Sequence, residues 1–133
     1  MDDCIFCKLV KSEIPSYKVF ENDFVLAFLD IAPVNPGHTL VIPKVHYANF
    51  EEIPQEYLFE IMKIVQRVGR SLKDNLHVAG YNVLLNNDPV AGQIVNHLHF
   101  HLIPRKESDG LHLWPQGKYG EVEAEEILNK IKL

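Results

Sequence analysis

Three histidines alternate with apolar residues in His97-Leu98-His99-Phe100-His101-Leu102-Ile103. Along an extended strand, side chains point alternately to opposite faces. His97, His99 and His101 then share one face at a spacing of roughly 6.5–7 Å, with Leu98, Phe100 and Leu102 on the other. A lone histidine is an ordinary surface or core residue, but three in register on one face are hard to explain as packing. Two chemistries suit them. Histidines at i and i+2 can share a zinc ion that activates a water. Alternatively, one imidazole is a nucleophile near neutral pH, and its neighbours orient it or bind the reacting group. The strand alone leaves both open. A second constellation is Cys4-x-x-Cys7, the two cysteines of the chain. No strand is expected before Cys4 to complete a thioredoxin-like redox setting, so the pair reads as a metal half-site needing two more ligands.

The elements that must position these groups follow from periodicity. Ile5, Phe6 and Leu9 predict one or two helical turns over residues 4–11. Strands are expected at Lys18–Glu21 and Val25–Leu29, joined by a turn at Asn22-Asp23. A turn at Asn35-Pro36-Gly37 leads into a buried strand, Thr39–Ile42. Leu58, Ile61, Met62, Val65, Val68 and Leu72 recur at three- and four-residue intervals and predict one long helix from Pro54 to Lys73. Strands at Tyr81–Asn86 and His97–Ile103 follow, the latter stopped by Pro104, and an amphipathic helix carries Val122, Ile127, Leu128 and Ile131. Hairpin-linked strands with one long helix indicate an α+β domain with a largely antiparallel five-stranded sheet.

Bulk properties narrow the function. The 133 residues fit a single domain, and the composition (47% hydrophobic, 23% charged) is that of an ordinary globular protein. A net charge of −5 argues against a general nucleic-acid binder. No run approaches the roughly 20 apolar residues of a membrane span. The start, Met1-Asp2-Asp3-Cys4, is acidic where a signal peptide would be basic, so a cytoplasmic location is expected.

Several separated motifs then occur together: Phe28-Leu29-Asp30-Ile31, the stretch from Asn35-Pro36-Gly37-His38 to Pro43-Lys44-Val45-His46, and Gly92-Gln93 ahead of the histidine triplet. Together they strongly resemble the histidine triad (HIT) family, in particular its Hint-like branch, over residues 4–105. Residues 106–133 form a C-terminal loop and helix within the same 1–133 domain.

The resemblance implies a HIT-like fold and a nucleotidyl hydrolase or transferase. It would cleave nucleoside phosphoramidates, dinucleoside polyphosphates or nucleotide anhydrides at the α-phosphorus and release a nucleoside monophosphate such as AMP. It assigns the nucleophile to His99, phosphoryl contacts to His101 and support of both to His38. Asp30 would accept the ribose hydroxyls. Ile5, Phe6, Leu9, Phe28 and Ile31 would sandwich the base, Asn86 would lie near ribose and phosphate, and Gln93 would supply a phosphate-site amide. Gly92 would let backbone approach phosphate. A structural zinc held by Cys4, Cys7, His46 and His97 is implied, with no organic cofactor. So is a homodimer in which Trp114 and its neighbours reach the partner's site. Nucleic acid and membrane are not expected partners, and DNA-adenylate repair is disfavoured by the acidic charge. One departure stands out: Ile94 occupies a position where Hint-like proteins commonly carry a hydroxyl that protonates amine leaving groups. This puts rapid phosphoramidate cleavage in doubt and favours anionic leaving groups. Two rival readings are a nucleotide-binding regulatory module with little turnover and a zinc hydrolase using the histidine triplet as ligands.

Overall fold

In a computed structural model that describes residues 3–133, the chain forms an α+β fold around one five-stranded sheet. Met1 and Asp2, from the acidic N-terminal tetrapeptide, lie outside the described residues. Helix α1 (Ile5–Val10) precedes β1 (Lys18–Glu21), β2 (Val25–Leu29) and β3 (Thr39–Pro43). The long helix α2 (Gln55–Leu76) then leads to β4 (Gly80–Leu85), β5 (Phe100–Arg105) and α3 (Glu123–Ile131). Spatial order is β1-β2-β3-β5-β4, with every neighbouring pair antiparallel. The β1–β2 turn is fastened by Asn22, whose Oδ1 accepts the backbone N–H groups of Phe24 and Val25 at 2.9 and 2.8 Å, the local chemistry that makes asparagine a turn residue.

Both faces of the sheet are covered. On one, Ile61, Ile64, Val65, Val68 and Leu72 of α2 pack against Val25, Ala27, Val41, Phe100 and Leu102. On the other, Phe6 and Leu9 of α1 pack against Leu26, Phe28, Leu40 and Ile42. Strands buried on both faces read as continuous apolar runs, and β2 and β3 do so. Alternation assigns the histidines to the α1 face, because Leu98, Phe100 and Leu102 all join the α2-side core.

The boundaries differ from expectation at two instructive places. The β5 ladder starts at Phe100, so His97 and His99 precede it, and it continues through Pro104 to Arg105. Its pairing with β3 spans only Phe100 to Leu102, whereas β4 pairs along its whole length. The Pro104 carbonyl accepts from the Asn35 side chain at 2.8 Å. That edge has no paired strand, so the missing N–H of proline leaves no gap in the ladder. Helix α2 runs past Lys73 because Asp74, Asn75 and Leu76 include no breaker; it stops where His77 turns left-handed at φ 56°. No described helix is long and apolar enough to cross a membrane.

Gly69 is where α2 receives the Tyr81 side chain of β4: a Cβ there would run into the ring and hydroxyl of Tyr81. Gly69→Ala gains about 1 kcal/mol of helix propensity but incurs an overpacking cost of about 1–3 kcal/mol. Urea denaturation should show net destabilisation, part of it regained by Tyr81→Phe in the same background. A raised midpoint for Gly69→Ala alone would contradict this packing.

Candidate active site

The histidines gather at the α1 face, each from a different backbone setting. His101 lies on β5, opposite Leu40 of β3 and Leu84 of β4. His38 directly precedes β3 and is fixed by its turn: its N–H donates to Asn35 O, and its carbonyl accepts from the Asp30 N–H. Asn35 in turn donates to Pro104 O and to Asp109 Oδ2, tying this turn to β5 and to the loop beyond it. Asp109 forms a two-pronged ion pair with Arg105 at 2.7 and 3.0 Å, which holds its carboxyl far below the usual carboxylate range.

Partners of known polarity assign the protons. A carbonyl only accepts, so His99 must carry its proton on Nδ1 to bond His97 O at 2.8 Å. That leaves the His99 Nε2 lone pair free. The Val34 N–H donates to His38 Nδ1 at 3.1 Å, so neutral His38 carries its proton on Nε2. That proton is donated to His101 Nδ1 at 2.9 Å, and the His101 proton is therefore on Nε2. This last N–H is buried and has no protein partner. Rings 99 and 101 lie 4.9 Å apart, and the Phe6 edge meets His99 at 5.1 Å. Burial lowers the basicity of His99 and His38 and pulls His101 down to about 4, with neighbouring imidazoles adding to the effect at His101. The three rings are neutral near pH 7.

These groups open onto a cavity of about 370 Å³ between α1 and the ends of β2 and β3. Ile5, Phe6, Leu9, Phe28, Asp30, Ile31, Asn86, His99 and His101 all line it. His38 stands behind His101, with Nε2 3.7 Å from Asp30 Oδ2. Its volume lies in the lower range of small-molecule sites, and its lining is apolar with a few convergent polar groups.

A separate cluster lies beside it. Cys7 Sγ is 3.3 Å from His46 Nδ1 and 3.6 Å from His97 Nδ1, and Cys4 Sγ is 3.5 Å from His97 Nδ1. All four donor atoms fall within 4.8 Å of one another. Tetrahedral zinc with two sulfur and two nitrogen ligands spaces its donors roughly 3.3–3.8 Å apart, so the set fits that ion. His97 Nε2 donates to Pro43 O at 2.8 Å, which leaves the Nδ1 lone pair facing the thiols, as metal-ligating histidines require. Burial also takes His97 down to about 4, keeping it neutral.

The family model of the HIT domain matches residues 11–108. The chain belongs to the HIT family. An uncharacterized HIT-like protein of Methanocaldococcus jannaschii is 50% identical over 129 residues, 97% of this chain and 98% of that one. An adenosine 5'-monophosphoramidase of Saccharomyces cerevisiae is 49% identical over 114 residues, 84% and 70% of the two chains. Among solved structures, a HIT family member from Bacillus subtilis superposes with a TM-score of 0.90 at 41% identity, covering 97% and 94%. A zinc-bound histidine triad protein from Mycobacterium smegmatis gives 0.79 at 34% identity, covering 88% and 85%.

One residue of this HIT site is engaged differently from expectation. The Gln93 amide is spent on backbone groups of the 86–95 loop and of Ala48: Oε1 accepts the Asp88 N–H, and Nε2 donates to Ala48 O and Val95 O. It is a positioning group rather than the expected phosphate contact. It pins the loop where Asp88 holds a left-handed φ of 76°, a conformation costing about 1–3 kcal/mol outside glycine. Gly92 is required for its φ of 102°, while a Cβ there would meet only ordinary contact with Asn86. The histidine triplet does not converge on one point: among the described residues, His97 clusters with the thiols and His101 with Asp30 and His38. Distances alone would let Asp30, His38 and His101 hold an ion. The Val34 N–H on His38 Nδ1 argues against it, because a metal on Nε2 would then require an imidazolate.

Sequence reasoning missed Asn35 and Asp109, which act through long-range bonds that no local pattern announces. It also missed Ile14, Pro15, Ser16 and Leu40 in the cavity wall. Ile14-Pro15-Ser16 follows α1, and nothing local in it announces that the chain there joins the cavity wall.

Nitrogen-detected NMR at neutral pH should find His99 as the Nδ1–H tautomer and both His38 and His101 as Nε2–H. An Nδ1–H signal from His101 would break the relay derived above.

Proposed function

We propose that this HIT protein is an AMP-releasing nucleotidyl hydrolase or transferase working through a covalent nucleotidyl-histidine on His99. One observation carries the reading: the Nδ1 proton of His99 is committed to the His97 carbonyl, which leaves Nε2 free, and its ring lies 4.9 Å from the ring of His101, whose Nε2–H has no protein partner. The Nε2 lone pair forms a bond to the α-phosphorus while the bond to the leaving group breaks, the electron pair departing with that group. Positive charge developing on the ring is met by the hydrogen bond from Nδ1–H to the His97 carbonyl. The His101 Nε2–H donates to a phosphoryl oxygen where negative charge grows. Water then attacks phosphorus, the P–N electron pair returns to Nε2, and the proton lost by water goes to solvent. Similarity to a chain named adenosine 5'-monophosphoramidase supports AMP as the released nucleotide.

In this reading Asp30 receives the ribose hydroxyls and Asn86 lies near ribose and phosphate. The apolar wall of Ile5, Phe6, Leu9, Phe28 and Ile31 takes the base. Ile94, at the rim and 94% exposed, carries no proton to give. Leaving groups that are stable as anions, the phosphates of polyphosphates and anhydrides, therefore suit this site better than basic amines.

Cys4, Cys7, His46 and His97 are assigned to a structural zinc. With four protein ligands it has no open position, and it supplies rigidity rather than a reacting water. A homodimer is also part of the proposal. Helix α3 has no buried residue, and Leu113, Trp114, Leu128 and Ile131 are exposed; a nine-residue helix in isolation is marginal in water.

Intact-protein mass spectrometry after acid quench, with an adenylated substrate, tests the mechanism. Wild type should carry an acid-labile nucleotide-sized adduct that is absent from His99→Ala and His99→Asn. Adduct persisting in either variant would remove His99 from the chemistry. Chelation separates the two zinc roles. Stripping the metal should lower the melting temperature by several degrees and reduce turnover only in part, through loosened support of His99. Complete, zinc-restorable loss of turnover in protein that stays folded would instead place a metal-bound water at the reaction.

A further inference from the structure

We propose that the Ser16 hydroxyl hydrogen-bonds the edge of the bound nucleobase and sets base preference, an inference that rests on the nucleotide reading above. Among the described residues, two buried side-chain polar atoms lack any hydrogen-bond partner: His101 Nε2 and Ser16 Oγ. Both residues line the same cavity. Buried polar groups are almost always paired, and an unmet one calls for a specific explanation. At His101 that explanation is the phosphoryl oxygen. Ser16 has the same signature in the wall of the same cavity.

Its position fits a base rather than a phosphate. Ser16 ends the Ile14-Pro15 break after α1, and the next residue, Tyr17, accepts the Leu29 N–H through its carbonyl at 3.0 Å. This tether holds Ser16 against the end of β2, next to Asp30 at the proposed ribose position. The cavity wall that Ser16 joins includes the apolar Leu9, Ile14 and Phe28. Such a wall accepts any flat ring and discriminates weakly between bases. One hydroxyl within it, able both to donate and to accept, gives the base end a directional side-chain contact. It would pair with a ring nitrogen or an exocyclic amine.

The test is calorimetric titration of wild type and Ser16→Ala with AMP and with analogues that each remove one atom or group. The base series is 1-, 3- and 7-deaza-AMP and purine riboside monophosphate; the sugar series is 2'- and 3'-deoxy-AMP. Ser16→Ala should weaken AMP about five- to tenfold. One base analogue should show that same loss on wild type and no further loss on the variant. The melting temperature of the ligand-free variant should be unchanged or raised. Coupling to a deoxy analogue would make Ser16 a sugar contact, and no coupling would make it inert; either overturns the proposal. A fall in melting temperature would overturn it too, by revealing a partner within the free protein. Wild type that does not bind AMP would instead refute the nucleotide reading, and this inference with it.

Discussion

The site depends on one hydrogen bond, from His99 Nδ1–H to the carbonyl of His97 at 2.8 Å. It decides which nitrogen of the central imidazole has a free lone pair, and it works only if the acceptor carbonyl does not turn. That carbonyl shares a peptide plane with the Leu98 N–H, which is bonded to Tyr47 O at 2.7 Å. The His97 ring is held from both sides, by Pro43 O at one nitrogen and by the two thiols at the other. The plane and the ring are thus fixed independently. The proposed zinc would act here, two residues from His99, the proposed nucleophile, without touching the reacting atoms.

The same arrangement explains why the histidines can precede the ladder and still alternate. Between His97 and His99 the chain makes no sheet pairing, yet Leu98 and Phe100 are sunk into the α2-side core. Burying such side chains is worth about 1.5–3 kcal/mol each, enough to hold the face assignment without ladder bonds. The freed edge is used by His97, whose Nε2–H takes the Pro43 carbonyl. Side-chain chemistry occupies the place of a backbone pair.

Much of this was legible in the residues. The alternation of His97 to Ile103 gave the common face, and the apolar run Val25–Leu29 and the period of α2 gave the sheet and its cover. The C-x-x-C pair announced two members of the Cys4, Cys7, His46 and His97 cluster. What could not be read was orientation at single atoms. Nothing local in Gln93 says that its amide turns to Asp88 and Ala48 rather than to a ligand. Nothing in Asn35 or Asp109 shows that they meet across 74 positions of sequence. Pro104 looked like a stop because proline removes a donor, and only the short reach of β3 shows that this donor has no partner to lose. The tautomers were equally hidden, since they follow from whether each neighbour is a carbonyl or an N–H.

Those tautomers limit the charge the site can carry. A second proton on His101 would have to occupy Nδ1, already the acceptor of the His38 proton. One on His38 would have to occupy Nδ1, which faces the Val34 N–H. Protonating either ring therefore breaks a hydrogen bond as well as charging a buried group, and the second charge would lie within about 5 Å of the next imidazole, where like charges are costly. Asp30 is close enough to offset part of this, at 3.7 Å from His38 Nε2. The relay consequently favours neutral rings with directed N–H groups over a cluster of imidazolium charges. A phosphoryl group entering such a site meets a lone pair at one ring and a donor at the next, positioned before it arrives. Preorganisation of this kind needs no reorientation as charge develops at phosphorus.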